Sequence, residues 1–225
     1  MEIITTHINA DFDCIGSMVA AKKLHPEAVL VFSGAQEKGV REYFQKSPHP
    51  EFESLRVKDI DFSAVTRLIV VDCQHSARLA KFAELAQKEG VELLIYDHHP
   101  ISSGDLKADG GIIRPCGSTT TILATLLMQR DIEVTPAEAT MMMLGIHEDT
   151  GNLTFPSTTA EDYAVGAWLV ERGAQLNEVA DSIGRELTAE QVSLLNDLLT
   201  SLKTSPLKGV DVSVAHASVD RYIGA

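Results

Sequence analysis

Residues 92–100 read ELLIYDHHP. The apolar stretch Leu93–Tyr96 has no polar alternation and is too short for a helix, the pattern of a strand buried on both faces. It ends in Asp97, His98 and His99, three ionisable side chains in a row. The same layout recurs along the chain. EIITTHI (2–8) leads into Asp11 and Asp13, and RLIVVD (67–72) closes on Asp72. AVLVFSG (28–34) and GGIIRP (110–115) complete five strand candidates. Between them lie MVAAKKL (18–24), VREYFQKS (40–47) and SARLAKFAELAQKEG (76–90), each with helical apolar spacing, the last stopped at Gly90.

This alternation predicts an α/β fold: a mostly parallel five-stranded sheet flanked by helices, followed by a helical subregion and a linker helix. From residue 117 the texture is helical. Ser118 is a cap candidate for TTTILATLLMQR (119–130), Thr135 with Pro136 for AEATMMMLGIH (137–147), and Thr158 or Thr159 for AEDYAVGAWLVERG (160–173). Met141, Met142 and Met143 read as core packing. The expected organisation is one domain over 1–187, a linker helix over 188–205, and over 206–225 the start of a further domain that the chain cuts short. VDVSVAHASV (210–219) reads there as a lone strand with no sheet to join.

The chain has 225 residues, 44% of them hydrophobic, enough for a sizeable core. No stretch approaches the ~20 unbroken apolar residues of a membrane span, and MEIITTHI lacks the layout of a secretory signal. Cys14, Cys73 and Cys116 form no CxxC pair, so reduced thiols in a cytoplasmic protein are expected. Lys and Arg total 19 against 32 Asp and Glu, a net charge of −13, which argues against a broad basic surface gripping nucleic acid. It does not exclude a small anionic substrate, because bound cations reverse the local field of an acidic cleft.

In an open parallel sheet, ligand sites lie at the carboxyl ends of the strands. Asp11 and Asp13, Asp72, and Asp97 with His98 and His99 each follow a strand candidate, and His7 can join them. HEDTGN (147–152) ends another apolar element. Crowded carboxylates push one another's pKa values upward unless something neutralises them. Two divalent cations would do so, and Asp oxygens with imidazole nitrogens suit Mn²⁺, with Mg²⁺, Co²⁺ or Zn²⁺ as competitors. Sulfur ligands are not required, and Cys14 and Cys73 read as gap-fillers. Gly16-Ser17 and Gly117-Ser118-Thr119 are expected to open helices whose free N–H groups accept either an anion or a plain cap. Ser17, Ser118 and Arg114 are therefore candidate substrate contacts, with capping and a surface ion pair as the competing readings.

His7-x-x-x-Asp11-x-Asp13-x-x-Gly16-Ser17, Val71-Asp72, Asp97-His98-His99-Pro100 and Asp149-Thr150-Gly151 together resemble the four motifs of the DHH phosphoesterases, over about residues 1–190. DFDCIGSMVAAKKLHPEAVLVFSGAQEK further resembles the amino-terminal module of bacterial tRNA nucleotidyltransferase/poly(A) polymerase-like proteins. The resemblance implies that residues 1–187 are a DHH phosphoesterase domain with two metals, one on His7, Asp11 and Asp72, the other on Asp13, Asp72, His98 and Asp149. It implies catalytic roles for His99, facing the substrate phosphate, and for Asp97, orienting a neighbouring imidazole. The implied activity is a manganese-dependent phosphohydrolase cleaving a phosphate ester of a nucleotide or short oligonucleotide by a metal-activated hydroxide, weak here if the second domain completes the site. The alternative is a regulatory metal- and nucleotide-binding module of a larger tRNA nucleotidyltransferase-like protein; an inorganic pyrophosphatase is a third reading. Further carboxy-terminal domains are expected, no membrane, and a homodimer is allowed for.

Overall fold

Alternate residues of each buried strand point to opposite faces, so a strand that is apolar throughout needs cover on both. That is how the sheet is built in the computed structural model, which describes residues 1–46, 49, 52–183 and 189–218. Six strands, β1 (Glu2–Thr5), β2 (Val29–Val31), β3 (Ser54–Leu55), β4 (Arg67–Val71), β5 (Glu92–Asp97) and β6 (Gly110–Ile113), all pair in parallel. Their order is β3-β2-β1-β4-β5-β6. The chain therefore steps one way from β1 to β2 and β3, then the other way from β4 onward. A crevice opens where the direction reverses, beyond the carboxyl ends of β1 and β4.

Ile4, Ile69, Val71 and Tyr96 face one core with α1 (Phe12–Leu24), α2 (Lys38–Lys46), α4 (Thr119–Gln129), α5 (Pro136–Asp149), α6 (Ala160–Glu171) and α7 (Leu176–Ile183). Ile3, Leu68, Val70, Leu93 and Ile95 face the other, closed by Leu79, Phe82 and Leu85 around the short α3 (Phe82–Leu85). Met141, Met142 and Met143 are buried in the first core, as expected. Ser118 caps α4 by accepting from the Thr121 amide, and Thr135 and Glu138 form a reciprocal capping box on α5. Of the two candidates for α6, Thr159 is the cap.

The structure corrects the sequence reading in several places. The sheet has six strands, because the two-residue edge strand β3 is too short to carry a pattern. SARLAKFAELAQKEG is not one helix: Ser76–Arg78 is a 3₁₀ turn, Ala80 takes a positive φ of 46°, and only Phe82–Leu85 is α-helical. The apolar spacing was real, since Leu79, Phe82 and Leu85 are buried, but short turns satisfy it. Helix α7 was not foreseen. Two compact units divide at Ile183 and Gly184. In the second, α8 (Ala189–Ser201) stops short of the expected 205, because Lys203–Leu207 is a strand, β7, paired antiparallel with β8 (Val210–Val214). The turn residues Lys208 and Gly209 both have positive φ, the backbone a two-residue hairpin needs. The expected lone strand thus has a partner, and Pro206 is tolerated because both strands of a two-stranded sheet are edges. Ser47, Thr188 and Val219, ends of expected elements, lie outside the described residues. No helix among the described residues is long and apolar enough to cross a membrane.

Candidate metal centre

The crevice is lined from three adjacent strands. Beyond β1 the chain places His7 and turns through Asn9, at φ 59°, into α1, whose N-cap is Asp11. Asp11 Oδ1 accepts from the Cys14 amide at 3.0 Å. Beyond β4, Asp72 itself adopts φ 56°, an uncommon conformation for a non-glycine residue, held by its amide donating to the Tyr96 carbonyl at 2.9 Å. Beyond β5 come His98 and His99. Asp149 is the last residue of α5 and reaches in from the helical layer.

Three groups of donor atoms result among the described residues: His7, Asp11, Cys14 and Asp72; Asp13, Asp72, His98 and Asp149; and the smaller set Asp72, His98 and His99. Within each, one atom per residue lies within 4.8 Å of the others. Asp72 belongs to all of them because β4 lies between β1 and β5 in the sheet. Both histidines are set for ligation. His7 Nδ1 lies 2.7 Å from the Ile8 carbonyl and His98 Nδ1 lies 3.1 Å from the Cys116 carbonyl. A carbonyl only accepts, so each Nδ1 carries a proton and Nε2 is the nitrogen left to face the site, with a lone pair in the neutral ring and an N–H in the protonated one. His98 Nε2 is buried and stands 3.1 Å from Asp149 Oδ2. A lone pair facing a carboxylate at that distance calls for a cation between them, either a proton or a metal, and the donor set fits a divalent ion.

The electrostatics carry the same demand. Burial pushes the carboxyl groups of Asp13 and Asp149 above the usual carboxylate range, and the charge of Asp72 adds to both. Asp72 stays below that range despite burial, because His7, His98 and His99 surround it. Burial opposes charge on His98, but Asp149 and then Asp13 and Asp72 raise it to about 10. Burial pushes the Cys14 thiol well up. It also lifts Glu148 to about 7, against the Phe12 amide that its Oε2 accepts at 2.6 Å.

The α4 amino terminus does hold an anion, but the anion is internal. Asp13 Oδ2 and Oδ1 accept from the Thr119 and Thr120 amides at 2.8 and 2.9 Å. Thr119 Oγ1 donates to Asp72 Oδ1 at 3.0 Å and accepts from the His98 amide at 3.2 Å, tying three site residues together. Asp97 is fully buried and accepts from both His99 Nδ1, at 2.7 Å, and the His99 amide, at 3.1 Å. The His99 side chain keeps 45% exposure beside the site.

All six expected ligands, His7, Asp11, Asp13, Asp72, His98 and Asp149, converge, and Asp97 and His99 form a pair at their edge. Of the expected substrate contacts, Ser17 and Ser118 are buried and Arg114 is half-exposed and paired. Ser17 lies within α1 rather than at its start and is buried against Thr120 Oγ1 at 3.3 Å. Ser118 is buried as the α4 cap. Arg114 is half-exposed and its Nη2 is engaged by Glu161 Oε1 at 2.6 Å, the competing ion-pair reading. Sequence reasoning set Cys14 aside as a gap-filler, quoted Thr119 only as part of a helix start and Glu148 only as part of HEDTGN, and so gave none of the three a role at the site. Cys14 follows Asp11 by three residues, a spacing that puts both on one side of a helix start.

A family model described as DHH family, N-terminal domain, matches residues 2–146. The chain belongs to the DHH family. An A-adding tRNA nucleotidyltransferase of Geobacter sulfurreducens is 62% identical over 224 residues, covering 100% of this chain and 26% of the relative. A protein of Streptococcus thermophilus described as a probable manganese-dependent inorganic pyrophosphatase is 27% identical, covering 94% of this chain and 69% of the relative. Among solved structures, an exopolyphosphatase-related protein of Bacteroides fragilis superposes with a TM-score of 0.71 at 17% identity, covering 91% of this chain and 62% of that one, and so shares the fold of this DHH domain. The chain spans about a quarter of the length of the curated nucleotidyltransferases it matches.

Proposed function

We propose that this DHH domain is a two-cation phosphohydrolase acting on a phosphate ester of a nucleotide or short oligonucleotide. One observation carries the reading: two four-residue donor groups share the single carboxylate Asp72, an arrangement that suits a pair of cations flanking a phosphoryl group. His7, Asp11 and Asp72 would hold one ion and Asp13, Asp72, His98 and Asp149 the other. Divalent ions there would supply a water of lowered pKa and neutralise charge on the phosphoryl oxygens, with Mn²⁺ the expected species. The chain's own part is positional. Asp97 fixes His99 through Nδ1 and, by its hydrogen bond, raises the ring's pKa, against the opposing effect of burial. With Nδ1 engaged by Asp97 and the side chain 45% exposed, Nε2 is the ring nitrogen left to donate to a phosphoryl oxygen or leaving group when protonated.

The test is incubation with Mn²⁺ and a panel of pAp, dinucleotides, short RNA, cyclic dinucleotides and pyrophosphate, beside Asp72→Asn. Turnover of a nucleotide ester that vanishes in the variant supports the reading. Turnover of pyrophosphate alone would replace the substrate class. A second reading, a regulatory module binding metal and nucleotide inside a larger tRNA nucleotidyltransferase, draws on the 62% identity to such a protein. Metal binding with no turnover on any substrate favours it.

A further inference from the structure

We infer that Cys14 is a ligand of the site formed by His7, Asp11 and Asp72, giving that site one sulfur donor and a preference for softer divalent ions, Zn²⁺ or Co²⁺, over Mn²⁺ and Mg²⁺. The inference deepens the two-cation reading and rests on it. A tetrahedral ion with ligand bonds of about 2.0–2.3 Å holds its ligand atoms about 3.3–3.8 Å apart. His7 Nε2 lies 3.7 Å from Asp11 Oδ2, 3.5 Å from Asp72 Oδ2 and 3.2 Å from Cys14 Sγ, and Cys14 Sγ lies 3.5 Å from Asp72 Oδ2. These separations fall in that range or at its edge, so the thiol stands at a vertex of the same figure as the nitrogen and the two oxygens.

The surroundings favour sulfur as a donor. Thr6 Oγ1 donates to Cys14 Sγ at 2.8 Å, the kind of supporting hydrogen bond that orients a ligand from behind. Cys14, His7 and Asp72 are buried while Asp11 keeps 25% exposure, so the sulfur side of the site is shielded from solvent and the Asp11 side stays open to it. On coordination the thiol gives its proton to solvent and its sulfur lone pair to the cation. The second group, Asp13, Asp72, His98 and Asp149, contains no sulfur and suits a hard ion. The two sites thus differ in kind, and the domain selects an unlike pair of metals.

Cobalt reads the difference directly. Titration of the whole chain with Co²⁺ is expected to give visible ligand-field bands together with a near-ultraviolet sulfur-to-cobalt charge-transfer band. Cys14→Ser and Cys14→Ala should lose the charge-transfer band and keep the visible bands, while Cys73→Ser, outside both groups, keeps both. Zn²⁺ should bind the Cys14 variants about 10–100-fold more weakly, with Mn²⁺ affinity little changed. Visible bands without a charge-transfer band in the unsubstituted protein, or the band persisting in Cys14→Ser, would overturn the sulfur ligand and leave the two-cation reading standing. Absence of every cobalt band would overturn both.

Discussion

The hydroxyl of Thr119 contacts two of the groups that make the centre, donating to Asp72 and accepting from the His98 amide. Thr119→Val keeps the shape and removes both bonds, so divalent-ion affinity should fall about 10–100-fold, measured by calorimetric titration with Mn²⁺. Unchanged affinity would mean that the sheet alone places Asp72. His99 gives a contrasting case. Half-exposed and engaged through Nδ1 by Asp97, it belongs to neither four-residue donor group, although it forms a smaller one with Asp72 and His98. His99→Gln should lower kcat by about 10²–10⁴-fold while leaving Mn²⁺ affinity within a small factor; loss of metal with activity would move His99 among the ligands. The acids and imidazoles were legible in the sequence because each ends an apolar run, and strand ends in a parallel sheet meet. Thr119 was not, since its role depends on Asp72, 47 residues away in sequence. Ser17 and Ser118 were ambiguous because a hydroxyl near a helix start serves packing and capping as readily as a ligand.

Two glycines set the distance between helices that carry ligands. A Cβ at Gly145 of α5 would meet Thr120 Oγ1 at 2.6 Å, the Phe12 carbonyl at 2.9 Å and Asp13 Cα at 3.0 Å. A Cβ at Gly16 of α1 would meet Thr120 Oγ1 at 2.5 Å, with the backbone of Met141 and Met142 at 3.1 Å. Helices α1 and α5 therefore approach so closely that backbone faces backbone, and Asp13 sits at the contact. Gly145→Ala should destabilise the fold by about 1–3 kcal/mol through overpacking, read by urea unfolding, and should also weaken Mn²⁺ binding because the strain falls on Asp13. Weakened stability with full metal affinity would show that α1 yields without moving its acid. Gly16 was legible as part of a motif, but Gly145 was not, since helical spacing alone marked its helix as core and gave no hint of what lay opposite. The same limit explains residues 76–90, where buried Leu79, Phe82 and Leu85 satisfy a helical period that short turns also satisfy.

At the scale of the molecule, the order β3-β2-β1-β4-β5-β6 explains why one aspartate can serve two ions: β4 is the strand flanked on one side by His7, Asp11 and Asp13 and on the other by His98. That convergence concentrates charge in a chain whose net charge is already −13. Buried Asp13 and Asp72 are among the carboxylates that repel one another until a cation arrives, so the cation-free domain carries a stability deficit that divalent ions remove. An ion at 100 times its Kd that binds only the folded state stabilises by about 2.7 kcal/mol. For a domain of this size each kcal/mol moves Tm by about 2–4 °C. Thermal unfolding in saturating Mn²⁺ should therefore rise by about 5–10 °C over the same protein in EDTA, and sodium chloride at matched ionic strength should not reproduce it, since buried pairs are poorly screened. Asp72→Asn should abolish most of the rise. In EDTA it should melt lower than the unsubstituted chain, because His7, His98 and His99 hold Asp72 below the usual carboxylate range, so its charge is net favourable in the fold at neutral pH and the amide forfeits it. A Tm that ignores Mn²⁺ in the unsubstituted chain would leave the clustered acids without the counter-charge that their burial demands.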